Sequence, residues 1–200
     1  MSQVTSFSER TRASLREQLL DAATDLLPER GYARLRMADV ATKVGVSRQT
    51  VYNEFGSKSA LVQAVALRTT AEFLEGIQQR HEAAPDVLTG IFDATVFTIE
   101  HARENRLVAA VLGTEVAEDL VPLLTTRGEP ILRAATEVSE AHLRDRLPGL
   151  GDPAFVAETM VRLTLSHLVL QTCPATEVAS DVRTVIAALI RSSTVSNRSD

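Results

Sequence analysis

Apolar residues recur every three or four positions along most of this 200-residue chain, and no segment sustains an alternation of period two. Near the N-terminus, Leu15, Leu19 and Leu26 fall on one helical stripe. Strands would need more β-branched alternation, and the aromatic content is only 4%. The pattern therefore predicts an all-α fold of about nine helices. The predicted helical segments span approximately 9–29, 37–44, 47–55, 57–81, 86–104, 107–112, 118–126, 130–146, 154–172 and 176–192.

The formal charge of −5 is distributed unevenly along the chain. Residues 1–60 carry nine Lys and Arg against seven Asp and Glu, a net charge of +2, whereas residues 61–200 carry twelve against nineteen, a net charge of −7. The basic first part would attract a polyanion and the acidic remainder would repel it. Any contact with nucleic acid is therefore expected in the first third of the chain.

The composition predicts a globular protein with 44% apolar residues and a single cysteine, Cys173, which cannot form a disulfide within the chain. The polar N-terminal residues do not resemble a signal peptide. Charged residues interrupt every apolar run before it reaches the roughly 20 residues that span a bilayer. We therefore expect a cytoplasmic protein that does not enter the membrane.

The most informative segment is Met37–Lys58, with the sequence MADVATKVGVSRQTVYNEFGSK. Two short helices can pack at a steep angle only if their contact is small and the turn between them is permissive. Ala41 supplies the small contact and Gly45 the turn. The segment therefore predicts a helix-turn-helix whose miniature core is shared with the first helix. The predicted residues of that core are Val40, Val44, Val46 and Val51.

The second short helix presents a face rich in hydrogen-bonding groups. The major groove of DNA admits one helix and offers acceptor pairs on guanine and mixed donor and acceptor pairs on adenine. Arg48 can read guanine, Gln49 can read adenine, and Thr50 can contact a thymine methyl group or a phosphate. The segment thus predicts a DNA-reading helix, the alternative being two short packed helices with a polar exterior. The exposed face is predicted to contain Ser47, Arg48, Gln49, Thr50, Tyr52 and Asn53.

Three residues are predicted to contact the DNA backbone. Tyr52 and Lys58 are placed to hold phosphates. Ser47 lies at the helix start, where the free backbone amides of the first turn favour an anion. Such contacts would fix the register of the reading helix without themselves carrying sequence information.

A wider pattern surrounds this motif. It comprises Gly31-Tyr32, Val40-Ala41, Gly45-Val46-Ser47, Thr50-Val51-Tyr52, Phe55 and Lys58-Ser59-Ala60-Leu61. In order and spacing these residues resemble the TetR family of bacterial regulators. The resemblance implies a homodimer of all-α subunits, each with a helix-turn-helix DNA-binding domain at 1–56. It also implies a ligand-binding and dimerisation domain at 57–200, with the helix 57–81 linking the two.

Three positions depart from the usual family pattern. Arg36 stands where a threonine often caps the second helix and contacts phosphate, so Arg36 is expected to make that contact by charge instead. Glu54 stands where histidine is common, and its carboxylate would repel phosphate unless it is turned inward or paired with a cation such as Lys58. Pro28 puts only the local geometry of the first helix in question.

The resemblance also implies that the last two long helices form a four-helix bundle with those of a second subunit. Helix 154–172 is apolar on more of its circumference than one contact within the chain requires, and helix 176–192 adds further apolar residues. The alternative is that these residues only fill the core of their own subunit. The predicted interface residues are Phe155, Met160, Leu163, His167, Val182, Ile186 and Leu189.

A ligand pocket is expected between the long linking helix and the helices of the second domain. Few charged residues occupy these seams, which favours an apolar or amphipathic ligand such as a fatty acyl chain or a hydrophobic drug. The predicted function is a homodimeric repressor that releases its DNA operator when this small molecule binds. A DNA-binding factor without small-molecule sensing would have the same sequence pattern. The candidate pocket residues are Phe73, Ile77, Phe92, Val96, Phe97, Leu112 and Leu132.

A helical-bundle enzyme is the alternative from another class, but its sequence signatures are missing. None of the four histidines follows an acidic residue by three positions. A P-loop, a dinucleotide glycine fingerprint and a His-Glu-x-x-His zinc pair are also missing. We therefore expect no catalytic residue, no metal and no cofactor. The expected partners are duplex DNA, a second copy of the chain and a small hydrophobic ligand.

Overall fold

The computed structural model of the chain describes the backbone of residues 7–113 and 128–196, and the side chains of residues 11–109 and 128–193. Within these ranges the chain forms nine helices and no strand, which confirms the predicted all-α fold. The helices are α1 (Phe7–Arg34), α2 (Met37–Val44), α3 (Arg48–Phe55), α4 (Lys58–Ala83), α5 (Val87–Glu104), α6 (Arg106–Gly113), α7 (Glu129–Arg146), α8 (Pro153–Val169) and α9 (Ala175–Ser196).

The described residues divide into two compact units. The first contains residues 7–69 and 106–113, and the second contains residues 70–105 and 128–196. Helix α4 contributes its first half to one unit and its second half to the other. None of the described helices is long and apolar enough to cross a membrane.

The first unit is built around α1. Helix α2 packs on α1 and on α3, and α6 also packs on α1. Helix α1 continues through Pro28 and is interrupted at Gly31, where φ is 68° and ψ is 172°. Only glycine adopts that conformation without strain, so Gly31 ends the straight part of the helix. The fully buried side chains of this unit include Leu19, Leu27, Val40, Val51 and Leu61.

The second unit is a helical bundle. Helix α5 packs along α9 and also contacts α8, which in turn packs on α7 and α9. Its most buried side chains include Ile91, Ile99, Leu143, Val156 and Ile186, each at most 1% exposed. Apolar residues at helical spacing on four helices therefore converge on one core.

Some helix ends differ from the predicted ones. Helix α8 ends at Val169 rather than near 172, because Leu170 leaves the helical conformation with φ −113° and ψ 83°. Helix α9 runs to Ser196, four residues beyond the predicted end at 192. The predicted helix at 118–126 lies outside the described residues.

Candidate nucleic-acid interface

Helices α2 and α3 are joined by a tight turn at Gly45. Its φ of 79° and ψ of 29° are left-handed, and its backbone N–H donates to the Ala41 carbonyl at 2.9 Å. The next residue, Val46, donates to the same carbonyl at 3.0 Å, which completes the cap of α2. Val40 and Val51 on the two helices are fully buried beneath the turn. The helix-turn-helix predicted from the sequence is therefore present.

Ser47 begins α3 as its N-cap. Its Oγ accepts a hydrogen bond from the backbone N–H of Thr50 at 3.1 Å, and the two hydroxyl oxygens lie 2.9 Å apart. This arrangement satisfies one of the amides that a helix start leaves unpaired. It also puts two hydroxyl groups beside the positive end of the helix dipole, which suits an anionic group.

The exposed face of α3 is held together by two side-chain pairs. Arg48 donates through Nη2 to the Tyr52 hydroxyl at 3.2 Å, and its guanidinium carbon lies 5.1 Å from the centre of the Tyr52 ring. Gln49 donates through Nε2 to the Asn53 Oδ1 at 2.9 Å. Both pairs are one helical turn apart and therefore lie side by side on the surface. The face offers donors and acceptors in adjacent rows, as recognition of base edges requires.

Arg36 occupies the N-cap of α2, and its own side chain has no oxygen with which to cap the helix. The cap is supplied in reverse by Asp39, whose carboxylate accepts the backbone N–H of Arg36 at 3.2 Å. Arg30 on α1 forms an ion pair with the same carboxylate. The exposed Arg36 side chain borders a crevice of about 510 Å³ whose lining also includes Arg30, Arg34, Glu29 and Asp39. The Asp39 carboxylate thus offsets the loss of a hydroxyl cap at Arg36.

Lys58, predicted to hold a phosphate, makes contacts within its own unit. Its Nζ donates to the carbonyl oxygens of Tyr32 at 2.8 Å and Ala33 at 3.4 Å. The same ammonium group lies 4.3 Å from the centre of the Tyr32 ring. Lys58 therefore fastens the start of α4 to the end of α1 and has at most one N–H left to offer a phosphate.

Glu54 is turned inward and paired, but its partners are not the Lys58 suggested by the sequence. Its carboxylate accepts from Arg12 Nε at 3.0 Å and from Arg16 Nη1 at 3.0 Å. Burial acts to raise the pKa of Glu54, but hydrogen bonds from Arg16 and Arg12 outweigh it and hold that pKa below its usual value. The sequence analysis missed both arginines, although their spacing of four residues puts them on one face of α1.

Two family models match the chain. The model described as "Bacterial regulatory proteins, tetR family" matches residues 19–65, and "Bacterial Tetracyclin repressor, C-terminal domain" matches residues 86–188. The second match alone spans more than half of the chain. The protein belongs to the TetR family. The resemblance stated from the helix-turn-helix residues is confirmed.

Curated and solved TetR-family relatives agree with this assignment. An "HTH-type transcriptional regulator AlkX" of Mycobacterium tuberculosis is 31% identical over 187 residues, covering 90% of this chain and 87% of its own length. The crystal structure of a TetR family repressor AlkX from Dietzia sp. has a TM-score of 0.70 and 26% identity, covering 90% of this chain and 96% of that one. The transcriptional repressor KstR2 of Mycolicibacterium smegmatis is 34% identical over 93 residues, or 44% of this chain and 45% of its own length. This TetR-family chain is thus related to helix-turn-helix transcriptional regulators.

The seven residues predicted for a dimer interface fall into two groups. Met160, Val182 and Ile186 are at most 6% exposed, because α8 and α9 pack on each other within the subunit. They belong to the core of their own subunit, as the alternative interpretation stated. Phe155 is 55% exposed, and the remaining three are half-buried. Those three are Leu163, His167 and Leu189.

The sequence analysis missed two apolar residues that lie on the surface of the same region. Leu170, just after α8, is 67% exposed, and Val185 on α9 is 42% exposed. With Phe155, they make three of the four large apolar side chains that are exposed among the described residues, and a contiguous patch of such side chains is a signal of a surface that another protein covers. Leu170 directly follows the end of α8 at Val169, an end that the sequence analysis placed too late.

The candidate pocket residues with described side chains are all half-buried. The rings of Phe73 and Phe97 lie 6.3 Å apart, and His101 contacts both at 4.8 Å and 5.0 Å. The ring of Phe92 instead lies 5.2 Å from the guanidinium carbon of Arg183 on α9. Ile77, Val96 and Leu132 are half-buried, and the side chain of Leu112 lies outside the described residues.

Phe97 also contacts two residues of α4, Arg80 and Gly76. The guanidinium carbon of Arg80 lies 3.7 Å from its ring centre, and Arg80 Nη1 donates to the Gly76 carbonyl at 3.0 Å. The ring is so close to Gly76 that a Cβ built there would lie 2.2 Å from Phe97 Cζ. The glycine therefore permits the ring to approach the backbone of α4.

Proposed function

We propose that this TetR-family protein is a homodimeric, sequence-specific transcriptional repressor that places α3 in the major groove of its operator. The observation that carries the proposal is the ordered polar face of α3, with Arg48 paired to Tyr52 and Gln49 paired to Asn53. These side chains stand on a helix whose inner face is anchored by the buried Val51, so their positions are set before DNA arrives. Such preorganisation reduces the side-chain ordering that binding would otherwise require.

Each residue of the face has a proposed role. Arg48 donates two hydrogen bonds to a guanine, and Gln49 pairs with an adenine. Asn53 supports Gln49 and contacts a neighbouring base, while Tyr52 donates its hydroxyl proton to a phosphate. The last contact is compatible with the structure, because the Tyr52 hydroxyl accepts from Arg48 and keeps its own proton for donation.

Ser47, Thr50 and Arg36 are proposed to hold the two DNA strands. Ser47 and Thr50 lie at the N-terminus of α3, where hydroxyl groups and helix dipole together favour a phosphate. Arg36 is exposed at the N-terminus of α2 and supplies a positive charge there. These contacts position the reading helix. They should contribute equally to the affinity for DNA of any sequence.

Selection of bound fragments from a random-sequence duplex library tests this part of the proposal. The wild-type protein should enrich a two-fold symmetric sequence whose half-sites lie about one helical turn apart, or a multiple of that spacing. Arg48→Ala should lose the preference for guanine at one position of each half-site. Arg144→Ala, an exposed arginine on α7, is the matched control and should enrich the wild-type sequence. Failure of the wild type to enrich any sequence would contradict the proposal.

We propose that the second copy of the chain docks on the exposed apolar surface of α8 and α9. Its support is the exposure of Phe155, Leu170 and Val185, all of which lie on these two helices or directly after α8. Half-buried Leu163, His167 and Leu189 complete this proposed surface. A two-fold interface of this kind would present two copies of α3 to a palindromic operator.

We further propose that a small hydrophobic or amphipathic ligand releases the operator. The Dietzia AlkX relative is described as implicated in biodegradation of n-alkanes, and a Bacillus subtilis FadR with the same fold is described in complex with stearoyl-CoA. The half-buried aromatic rings of Phe73 and Phe97 on α4 and α5 offer apolar surface of the kind such a ligand contacts. Because α4 belongs to both units, a shift of α4 on ligand binding is the proposed link to α3.

The ligand proposal is tested with the operator that the selection yields. Long-chain alkanes, fatty acids and fatty acyl-CoA esters would be titrated separately against the preformed DNA complex. One class should weaken operator affinity, because a ligand shifts the equilibrium only if it binds the DNA-free state more tightly. If a compound shown to saturate the protein leaves operator affinity unchanged, that compound is not the effector. If none of the compounds that bind the protein changes its operator affinity, the protein is a DNA-binding factor that does not sense these ligands.

A further inference from the structure

The carboxylate of Glu54 joins α1 to α3 across about forty residues of sequence. Both of its oxygens are used, one by Arg12 Nε and the other by Arg16 Nη1. The Glu54 side chain is only 10% exposed, so it is the anchored member of the three. Two arginines from the same face of α1 are thereby fixed beside the C-terminal half of α3.

The two arginines are held differently. Arg16 has a second contact, because its guanidinium carbon lies 4.5 Å from the centre of the buried Phe55 ring. Arg12 is 70% exposed and bonds Glu54 through Nε alone. Among the described side chains, its two terminal amino groups, which carry four N–H donors, bond nothing else.

The three charges do not cancel. Two guanidinium groups and one carboxylate leave a net charge of +1, and Arg12 is the more exposed arginine, at 70% against 41% for Arg16. Glu54 follows Thr50 by one helical turn, so Arg12 lies along the same side of α3 as the hydroxyl pair of Ser47 and Thr50. Groups that can bind phosphate would therefore extend along that side from Ser47 and Thr50 on α3 to Arg12 on α1.

We propose that Glu54 positions Arg12 as a further contact to the phosphodiester backbone of duplex DNA, so that α1 as well as α3 holds the operator. The inference rests on the proposed docking of α3 in the major groove. A carboxylate near DNA usually weakens binding through repulsion of phosphate. Here its charge is neutralised by one arginine, and its geometry directs a second one outward.

The salt dependence of binding to a short random-sequence duplex tests the contact by Arg12. Each phosphate neutralised by a protein cation adds about 0.9 to the slope of log K against log salt concentration. Arg12→Ala should lower that slope by about one for each subunit bound and weaken binding to all sequences alike. Arg12→Gln should give the same result with less change in side-chain volume, and thermal unfolding of both variants verifies that they fold.

Arg144→Ala is the matched control for the change in charge. Arg144 on α7 is 65% exposed and is also paired with a glutamate, Glu140. Its removal changes the net charge of the protein by the same amount but should leave the salt slope at the wild-type value. A slope for Arg12→Ala equal to that of Arg144→Ala would overturn the proposal.

A double-mutant cycle with Glu54→Gln tests the positioning role. The glutamine keeps an oxygen acceptor but loses the charge that holds both arginines. If Glu54 positions Arg12, the effect of Arg12→Ala on the salt slope should be much smaller in the Glu54→Gln background. An equal effect of Arg12→Ala in both backgrounds would show that Arg12 acts without Glu54 and would overturn the positioning role.

Failure of this inference can be told from failure of the proposed docking. If Arg48→Ala loses sequence preference while Arg12→Ala keeps the wild-type slope, α3 docks as proposed and only the contact by Arg12 is wrong. If the wild-type protein shows no salt-dependent binding to duplex DNA, the proposed docking of α3 is wrong and the contact by Arg12 is overturned with it.

Discussion

The imidazole ring of His81 on α4 is stacked on that of His142 on α7, with ring centres 4.3 Å apart and planes inclined by 17°. His81 is only 2% exposed. Neither nitrogen of His81, nor Nε2 of His142, has a hydrogen-bond partner among the described residues. Burial disfavours a charge on either ring, and two adjacent cations without hydrogen-bond partners would also repel each other.

The stability of the fold should therefore depend on pH through this pair. Burial, with a smaller contribution from the charge of His142, lowers the pKa of His81 from its ordinary 6.5 to about 4. The unfolded chain takes up a proton near pH 6.5 and the folded chain does not, so stability is lost as pH falls from 6.5 towards 4. Between pH 7.5 and pH 5 the loss from His81 should be about 2 kcal/mol.

Urea unfolding of wild type and His81→Leu at pH 7.5 and pH 5 measures this effect. Burial also lowers the pKa of His142, to which Arg146 adds while Asp145 and Glu82 oppose it, so a smaller dependence should remain in the variant. Equal losses of stability in wild type and His81→Leu would contradict the prediction.

Gly76 should not tolerate a methyl group. A Cβ there would lie 2.2 Å from Phe97 Cζ, and the Phe97 ring is held from one side by Arg80 at 3.7 Å. Gly76→Ala should lower the free energy of unfolding by about 1–3 kcal/mol through overpacking, in spite of the better helix propensity of alanine. Gly149→Ala, where a Cβ meets nothing within 4 Å, should change it by less than about 0.5 kcal/mol. A Gly76→Ala variant as stable as wild type would show that the ring moves freely.

The residue type at Gly45 is restricted by the backbone conformation and not by neighbouring atoms. A Cβ at Gly45 meets nothing within 4 Å, but its φ of +79° is unfavourable for any residue with a side chain. Gly45→Ala should cost about 1–2 kcal/mol of stability, while Gly45→Asn should cost less because asparagine tolerates this conformation. Urea unfolding ranks the variants, and the opposite order of alanine and asparagine would contradict the prediction.

Self-association should depend on the apolar surface of α8 and α9. Leu170→Glu places a charge where the leucine is 67% exposed and should raise the dissociation constant of the dimer at least tenfold. Leu67→Glu is the matched control, since Leu67 on α4 is 54% exposed but belongs to the first unit. Sedimentation equilibrium compares the two. The interface would lie elsewhere if Leu170→Glu remained as dimeric as wild type.

The fold was largely predictable because each helix has its own periodicity and its own break. Val40 and Val51 are buried as expected, since a local pattern identifies which side chains avoid water. The same pattern does not identify whether a buried side chain is covered by its own subunit or by a second one. Met160, Val182 and Ile186 were therefore predicted for a dimer surface but are buried within the subunit.

Partners of charged groups were the least predictable part of the candidate site. Glu54 pairs with Arg12 and Arg16, which lie 42 and 38 residues away in sequence, and no local spacing connects them. Lys58 looked available for phosphate, yet its ammonium group binds carbonyl oxygens at the end of α1. A long, flexible charged side chain can reach several hydrogen-bond partners in the folded state. The three-dimensional structure therefore determines which partner it bonds.

The most direct test of the central proposal is the affinity of wild type and Arg48→Ala for two duplexes, one carrying the selected operator and one of random sequence. Recognition through α3 predicts that Arg48→Ala weakens operator binding by about 1–3 kcal/mol per half-site while affinity for random DNA changes far less. The preference for the operator should therefore shrink. Equal weakening on both duplexes, or an unchanged preference for the operator, would mean that Arg48 does not read bases and would contradict the proposal.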